Sequence, residues 1–318
     1  MNARITEIVN ATTTKTAKIQ QLILLGLTRK EIAGLITSGN YGFVQNVYAK
    51  MLRQGRLNQA AIVTAIAEET MTPKAFEKDF GVEFEAYNVN KTVLRDKLTE
   101  VGILCEIEGY SHSTRSHWKI VYDNSITGNQ AFELVSPILN GEAGLTELMT
   151  VCNVLNRCNV KVNKTCGTHV HINARAFTQE QWKRIYINYA RLEKVIDGFM
   201  PESRRDDANR YCKDFGNVRD FENRIRQAES LEDIGFLRPS RYWKVNPESY
   251  SRHKTYEFRQ HAGTTDFIKI SSWIRFLNNL IDYSERYKVV TGTLDTLKNF
   301  NCIELVNYFK YRTLELAS

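Results

Sequence analysis

The 318-residue chain predicts an α+β fold preceded by a small all-α unit. Three observations lead there. Residues 15–70 repeat apolar side chains at helical spacing, and strand-like period-two alternation begins only at Phe80. Long amphipathic stretches at 91–101, 142–157, 178–197 and 266–288 accompany the alternating segments. Charge divides in the same sense. Of a net +7, residues 1–60 carry +6, from eight Lys or Arg against Glu7 and Glu31, and the remainder is close to neutral. Such asymmetry suggests a separate module with an anionic partner.

Composition removes several classes. Hydrophobic residues form 42% of the chain, enough to bury a core and to exclude wholesale disorder. No apolar run approaches the ~20 residues that span a bilayer. The first residues, MNARITEIVNATTTK, hold no apolar signal segment, so a cytoplasmic protein without membrane attachment is expected. Six cysteines without a C-x-x-C pair argue for reduced thiols rather than a disulfide framework or a zinc ribbon.

The helical unit is read first. Ile19, Leu22, Ile23 and Leu27 recur on one helix face, with a break at Gly26. Thr28-Arg29-Lys30-Glu31 has the spacing of a capping box that opens a second helix, whose apolar face is Ile32, Leu35 and Ile36. Thr37-Ser38-Gly39-Asn40 reads as a turn. A third helix then turns Phe43, Val44, Val47, Met51 and Leu52 inward and stops near Gly55. Residues 57–69 read as a fourth helix, and Met71-Thr72-Pro73 as a linker that divides 1–72 from 73–318. Short helices joined by tight turns resemble a helix-turn-helix unit. Its third helix would read nucleic acid, with Arg29, Lys30, Asn40, Tyr41, Gln45, Asn46 and Lys50 as candidate contacts. A small bundle for protein docking is the other reading.

The strands carry the chemistry. FGVEFEAY (80–87) alternates Val82, Phe84 and Ala86 against Glu83 and Glu85, which places the two acids on one face about 7 Å apart. Alone, this is equally a solvated sheet face. It is followed by HWKIVYDNSI (117–126), ending in a turn, and by AFELVSPIL (131–139), which sets Glu133 in an apolar strand. CGTHVHINA (166–174) alternates His169, His171 and Asn173 against Val170 and Ile172. KTYEFRQHAG (254–263) alternates Glu257, Arg259 and His261 against Tyr256 and Phe258. The segment 293–318 reads as a packing helix, and the four tryptophans as core. Carboxylates crowded on one face raise each other's pKa or recruit positive charge. Oxygen ligands with one imidazole suit Mg2+ or Mn2+, and Mg2+ is commonly completed by phosphate oxygens. A forked, permanently charged arginine suits a phosphoryl group or an oxyanion. A zinc site of Cys166, His169 and His171 in a hydrolase is the rival reading.

In this order, GVEFE (81–85), WKIVYDNSI (118–126), ELVSP (133–137), CGTHVHIN (166–173) and EFRQHAGTTD (257–266) resemble the amidoligase family. These are carboxylate–amine ligases of the glutamine synthetase and glutamate–cysteine ligase superfamily. The resemblance covers residues 80 to 285 approximately. It includes PESRRDDANRYC (201–212) and SRYWKVNP (240–247), which look like the family's substrate-side loops. It implies a curved antiparallel sheet of glutamine-synthetase-like type whose concave face holds ATP and divalent cations, Mg2+ or Mn2+. By motif, Glu83, Glu85, Glu133, His169 and Glu257 would hold metal, and His171 and Asn173 would lie beside ATP. Arg259 would be catalytic, facing the transferred phosphoryl group and the developing oxyanion. Asp123 would be catalytic or orient its neighbours. Arg204, Arg205, Arg241 and Asn246 would meet a substrate carboxylate or phosphate. The implied reaction joins an acid to an amine, on small molecules, peptides or a modified macromolecule, through an acyl phosphate. Ring-forming relatives make a homo-oligomer one expectation. The helical unit lies outside the resemblance. It would target the ligase, or, beside a degenerate ligase domain, would itself bind nucleic acid or protein.

Overall fold

The computed structural model describes residues 3–25, 27–53, 76–109, 111, 113–216, 218–230, 233–234 and 240–317. The chain divides into two compact units, Met1–Lys74 and Ala75–Ser318.

The first unit contains α1 (Ala3–Asn10), α2 (Lys15–Leu24), α3 (Arg29–Ile36) and α4 (Tyr41–Arg53). The capping box forms at α3. Thr28 N–H donates to Glu31 Oε2 at 2.8 Å, and Glu31 N–H donates to Thr28 Oγ1 at 3.2 Å. Asn40 Oδ1 accepts from Phe43 N–H at 3.1 Å where α4 begins. Ile19, Leu22, Ile23, Ile32, Ala33, Val44, Val47 and Met51 form the core. Helix α1 was not anticipated. Its Ile5, Ile8 and Val9, at helical spacing, pack on that core. Phe43 is not inward but 41% exposed, because Val44 and Val47 take the buried stripe and Phe43 precedes it by one helical step. The break at Gly26, the side chain of Leu52, the stop at Gly55, the helix at 57–69 and the linker at 71–73 lie outside the described residues.

The second unit is mixed α+β. It runs β1 (Asp79–Ala86), α5 (Lys91–Glu100), β2 (Cys105–Ile107), β3 (Trp118–Val121), β4 (Phe132–Val135), β5 (Leu139–Asn140), α6 (Gly141–Arg157), β6 (Thr168–Asn173), α7 (Gln179–Gly198), α8 (Val218–Gln227), β7 (Val245–Asn246), α9 (Ser249–His253), β8 (Thr255–Phe258), α10 (Phe267–Ser284) and α11 (Ile303–Ala317). Among the described residues these strands form one open sheet in the order β2-β3-β4-β1-β6-β8-β7, with β5 paired to β1. The pairs are antiparallel except β2 with β3. The sheet is thus mostly antiparallel, as the resemblance implies, with β3 beside β2 as the one parallel strand pair among the described residues.

Local chemistry explains the breaks. The expected strand at 131–139 divides at Ser136-Pro137. There Ser136 Oγ accepts from Val82 N–H at 2.9 Å, and Pro137 has no N–H to offer a ladder. Gly141 turns the chain from β5 into α6 with φ +49°, and a Cβ there would lie 2.3 Å from the Phe76 carbonyl oxygen. Asn90, Thr178 with Gln181, and Asp266 cap α5, α7 and α10. Helix α10 packs on α7, α6 and β6, and α6 on β1. They cover one face of the sheet, where Val82, Phe84, Val170, Ile172, Tyr256 and Phe258 are buried, and the four tryptophans are buried as well. The segment 293–318 is not one helix. A 3-10 turn, Leu294–Asn299, precedes α11, whose Ile303 is exposed. No helix among the described residues is long and apolar enough to cross a membrane.

Candidate active site

Register assembles the other face. Glu83 of β1 faces His169 of β6, and Glu85 faces Glu133 of β4. His171 faces Gly81 on one side and Glu257 of β8 on the other, and Asn246 of β7 faces Glu257. Directly paired residues share a face. One polar ribbon therefore crosses five strands and floors a cavity of about 460 Å³, within the size range of ligand pockets.

The side chains interlock. His169 Nδ1 lies 3.0 Å from Glu83 Oε2, and its Nε2 lies 3.5 Å from Glu85 Oε1. Glu85 Oε2 accepts from Gly167 N–H at 2.5 Å. His171 has Nδ1 3.0 Å from Thr255 Oγ1 and Nε2 3.3 Å from Glu83 Oε1. Asn246 Nδ2 donates to Glu257 Oε2 at 2.6 Å. The Arg259 guanidinium pairs with Glu257, and its Nε donates to the Tyr211 carbonyl at 3.2 Å.

Charge is unevenly met along the ribbon. Burial pushes the Glu83 carboxyl up, but His171 and His169 outweigh it and hold the group well below the usual range. Burial also opposes ionisation of Glu257, and Arg259 and His171 more than offset it. Burial disfavours the His171 imidazolium, and Glu83 and Glu257 more than restore it. Glu133 fares differently. Burial, then Glu83, Glu85 and Asp123, push it well above the usual range against the weaker pull of Arg259. Donor atoms lie within 4.8 Å of one another in three groups: Glu83 with His171 and Glu257, Glu83 with Glu133 and His169, and Glu85 with Asp123 and Glu133. Oxygen-rich sets with one imidazole fit Mg2+ or Mn2+, and a cation beside Glu133 would relieve the crowding of negative charge there.

The remaining candidates separate into those at the cavity and those away from it. Asp123, beyond the end of β3, lines the cavity while its Oδ1 accepts from Ser125 N–H at 2.6 Å. Asn173 also lines it and donates to Asp79 Oδ2 at 3.2 Å. Arg204 lines it although only 2% exposed, its guanidinium packed so close to Gly167 that a Cβ there would lie 3.0 Å from Nη2. Arg241 stands at the cavity over the Tyr242 ring, 5.3 Å from its centroid. Arg205 is not brought there. Its Nε donates to the Met200 carbonyl at 2.7 Å. His261 is also off the ribbon: Arg259, one residue past the end of β8, still lines the cavity, but the alternation does not reach His261. Its Nδ1 lies 2.7 Å from the Ala262 carbonyl oxygen. Cys166 belongs to none of the three donor groups. Its thiol packs with Ile126 and Ala131, so the zinc reading loses its sulfur ligand. In the N-terminal unit Arg29 bonds Gln45 and lies over the rings of Tyr48 and Tyr41, while Lys30, Asn40, Asn46 and Lys50 are exposed.

Sequence reading missed two contributions. Lys119 is buried, lines the cavity, and donates from Nζ to the Ser111 and Ser113 carbonyls at 2.6 and 2.8 Å. The available signal was a lysine inside the apolar run WKIV. Behind the floor, Lys244 Nζ lies 2.8 Å from Asp197 Oδ1 and 3.1 Å from Glu193 Oε1. Asp197 Oδ1 also accepts from Gln260 Nε2 at 2.6 Å, and the Lys244 carbonyl accepts from Arg259 N–H at 2.8 Å. This network anchors the strand end that presents Arg259. Its signal was two acids, four residues apart, on the apolar stripe of α7.

No curated protein matches the chain. Residues 77–281, well over half of the chain and inclusive of the whole ribbon, match the family described as "putative amidoligase enzyme". With the motifs in their order and their side chains gathered at one cavity, the chain belongs to the amidoligase family and is an enzyme of ligase type.

Proposed function

We propose that the protein joins a carboxylate to an amine at the expense of ATP, with Mg2+ or Mn2+, through an acyl phosphate. The observation that carries this reading is the carboxylate ribbon in a member of a ligase family, with Glu133 short of positive charge and Arg259 lining the same cavity. Glu83, Glu85, Glu133, Glu257 and His169 would hold the metal. Bound there, Mg2+ or Mn2+ neutralises phosphate oxygens and polarises the phosphoryl group. A substrate carboxylate oxygen attacks the terminal phosphorus, and the bond to the bridging oxygen breaks with release of ADP. The amine nitrogen then adds to the acyl carbon and loses a proton, and phosphate leaves. Arg259, held charged by Glu257, Glu85 and Glu83 in spite of burial, would stabilise the oxyanion of that addition. Arg204, Arg241 and Asn246 line the same cavity and would orient the substrate acid.

ADP release tests this reading, with the full chain, Mg2+ or Mn2+, and pooled acids and amines, with and without nucleic acid. ADP is expected to require both an acid and an amine, and to vanish in Glu83→Gln/Glu85→Gln. Ligation that survives the double substitution refutes the site. The basic N-terminal unit supports a second part of the reading: Lys30 and Lys50 on its surface would carry the ligase to an anionic macromolecule, as nucleic acid binding that weakens steeply with salt would reveal. Such binding without ADP release under any mixture would favour a binding factor with a degenerate ligase domain.

A further inference from the structure

A second cavity, of about 220 Å³, lies among the start of α10, α11 and the turn after β8, and shares no lining residue with the first. Lys269 and Arg312 both line it, with Tyr308, His261, Phe199 and Phe309, and none of its lining residues is acidic. No carboxylate among the described residues pairs with Lys269. Arg312 pairs with Glu315 on its own helix and is only 15% exposed. The two cations therefore meet a half-enclosed space that no carboxylate lines, Glu315 being paired with Arg312 and Asp266 acting on Tyr308 from the α10 cap, an arrangement that an anion completes. The first N–H groups of α10 play no part, because the Asp266 carboxylate already accepts from Ile268 and Lys269 N–H.

The histidine reports the same field. Burial, with Lys269 and Arg312 adding to it, lowers the His261 pKa to about 3, so the ring stays neutral. With Nδ1–H given to the Ala262 carbonyl, Nε2 is left as an acceptor. The opposite character comes from Phe199 and Phe309, whose ring centroids are 4.4 Å apart. A bare hydrated ion would surrender water against these rings and gain nothing from them. An anion with a short apolar arm satisfies both sides.

We propose that this cavity is a binding site for a small organic carboxylate, its charge held by Lys269 and Arg312 and its apolar arm against Phe199 and Phe309. The site is separate from the ligase cavity, and the proposal stands whether or not the ligase reading does.

Calorimetric titration of the full chain with valerate, the neutral valeramide and orthophosphate tests it. Saturable valerate binding is expected, about tenfold or more tighter than either comparison ligand. Lys269→Met and Arg312→Met are each expected to weaken valerate about tenfold or more, and Lys269→Arg to retain it. Glu83→Gln/Glu85→Gln is expected to leave valerate binding unchanged. The proposal is overturned if valerate fails to saturate, if valeramide or orthophosphate binds as well, if both charge-removing variants bind normally, or if binding disappears in the Glu83/Glu85 double variant.

Discussion

Lys244→Met isolates the network beneath Arg259. Lys244 is fully buried between Asp197 and Glu193, themselves 5% and 1% exposed. Methionine keeps most of the stem and removes the charge. The two carboxylates, each bonded to the same Nζ, then face one another at no more than about 6 Å. At an effective dielectric constant of about 20, unit charges at that distance repel by ~3 kcal/mol. Removing one partner of a buried pair costs ~3–5 kcal/mol. A loss of that size is expected at about pH 8. Protonation of Glu193 offers an escape. Its pKa is already raised, chiefly by burial, from 4.5 to about 7. The folded chain holds that proton more tightly than the unfolded chain. The stability it contributes is therefore full below 4.5 and lost as the pH rises through about 7. Without Lys244 the folded pKa climbs further, so the cost of the substitution should shrink by up to ~1.4 kcal/mol between about pH 8 and about pH 5.5. Urea unfolding followed by tryptophan fluorescence reads this in the second unit alone, because all four tryptophans lie there. A loss below ~1 kcal/mol at the higher pH, or equal losses at both, would refute the reasoning.

Two further substitutions test the supports of the two units. Thr28→Ala removes half of the capping box at α3 and should cost ~1 kcal/mol, measured in the full chain as faster hydrogen exchange at the Ile32 amide, whose N–H bonds the Thr28 carbonyl. Gly263→Ala would place a Cβ 2.6 Å from that of Cys166, across the bond from Gly263 N–H to the Cys166 carbonyl, and should cost ~1–3 kcal/mol in urea unfolding. Adding Cys166→Gly should recover part of that loss.

The ligand-bearing strands were legible because alternation carries its own geometry. Glu83 and Glu85, or His169 and His171, must share a face once their segment is extended. Five ordered motifs, on five strands, then tied the chain to one family, and the matched residues 77–281 bear that out. The reading failed where the pattern outlived its element. His261 continued the alternation on paper, yet β8 ends at Phe258. Phe43 was apolar and helical, yet its neighbour Val44 occupies the buried stripe. Adjacent arginines could not be told apart either. Arg204 reaches the cavity while Arg205 is tied to the Met200 carbonyl.

By itself the sequence determined which residues alternate, the capping box at Thr28 and which family the chain joins, because those follow from spacing along single segments. Only the tertiary structure decided that Glu85 faces Glu133, that His171 faces Glu257 and that Lys244 sits between two acids of α7. Those pairings bring together residues far apart in the chain. Their energies depend on register and on exclusion of water, and neither is written in the spacing of any one segment.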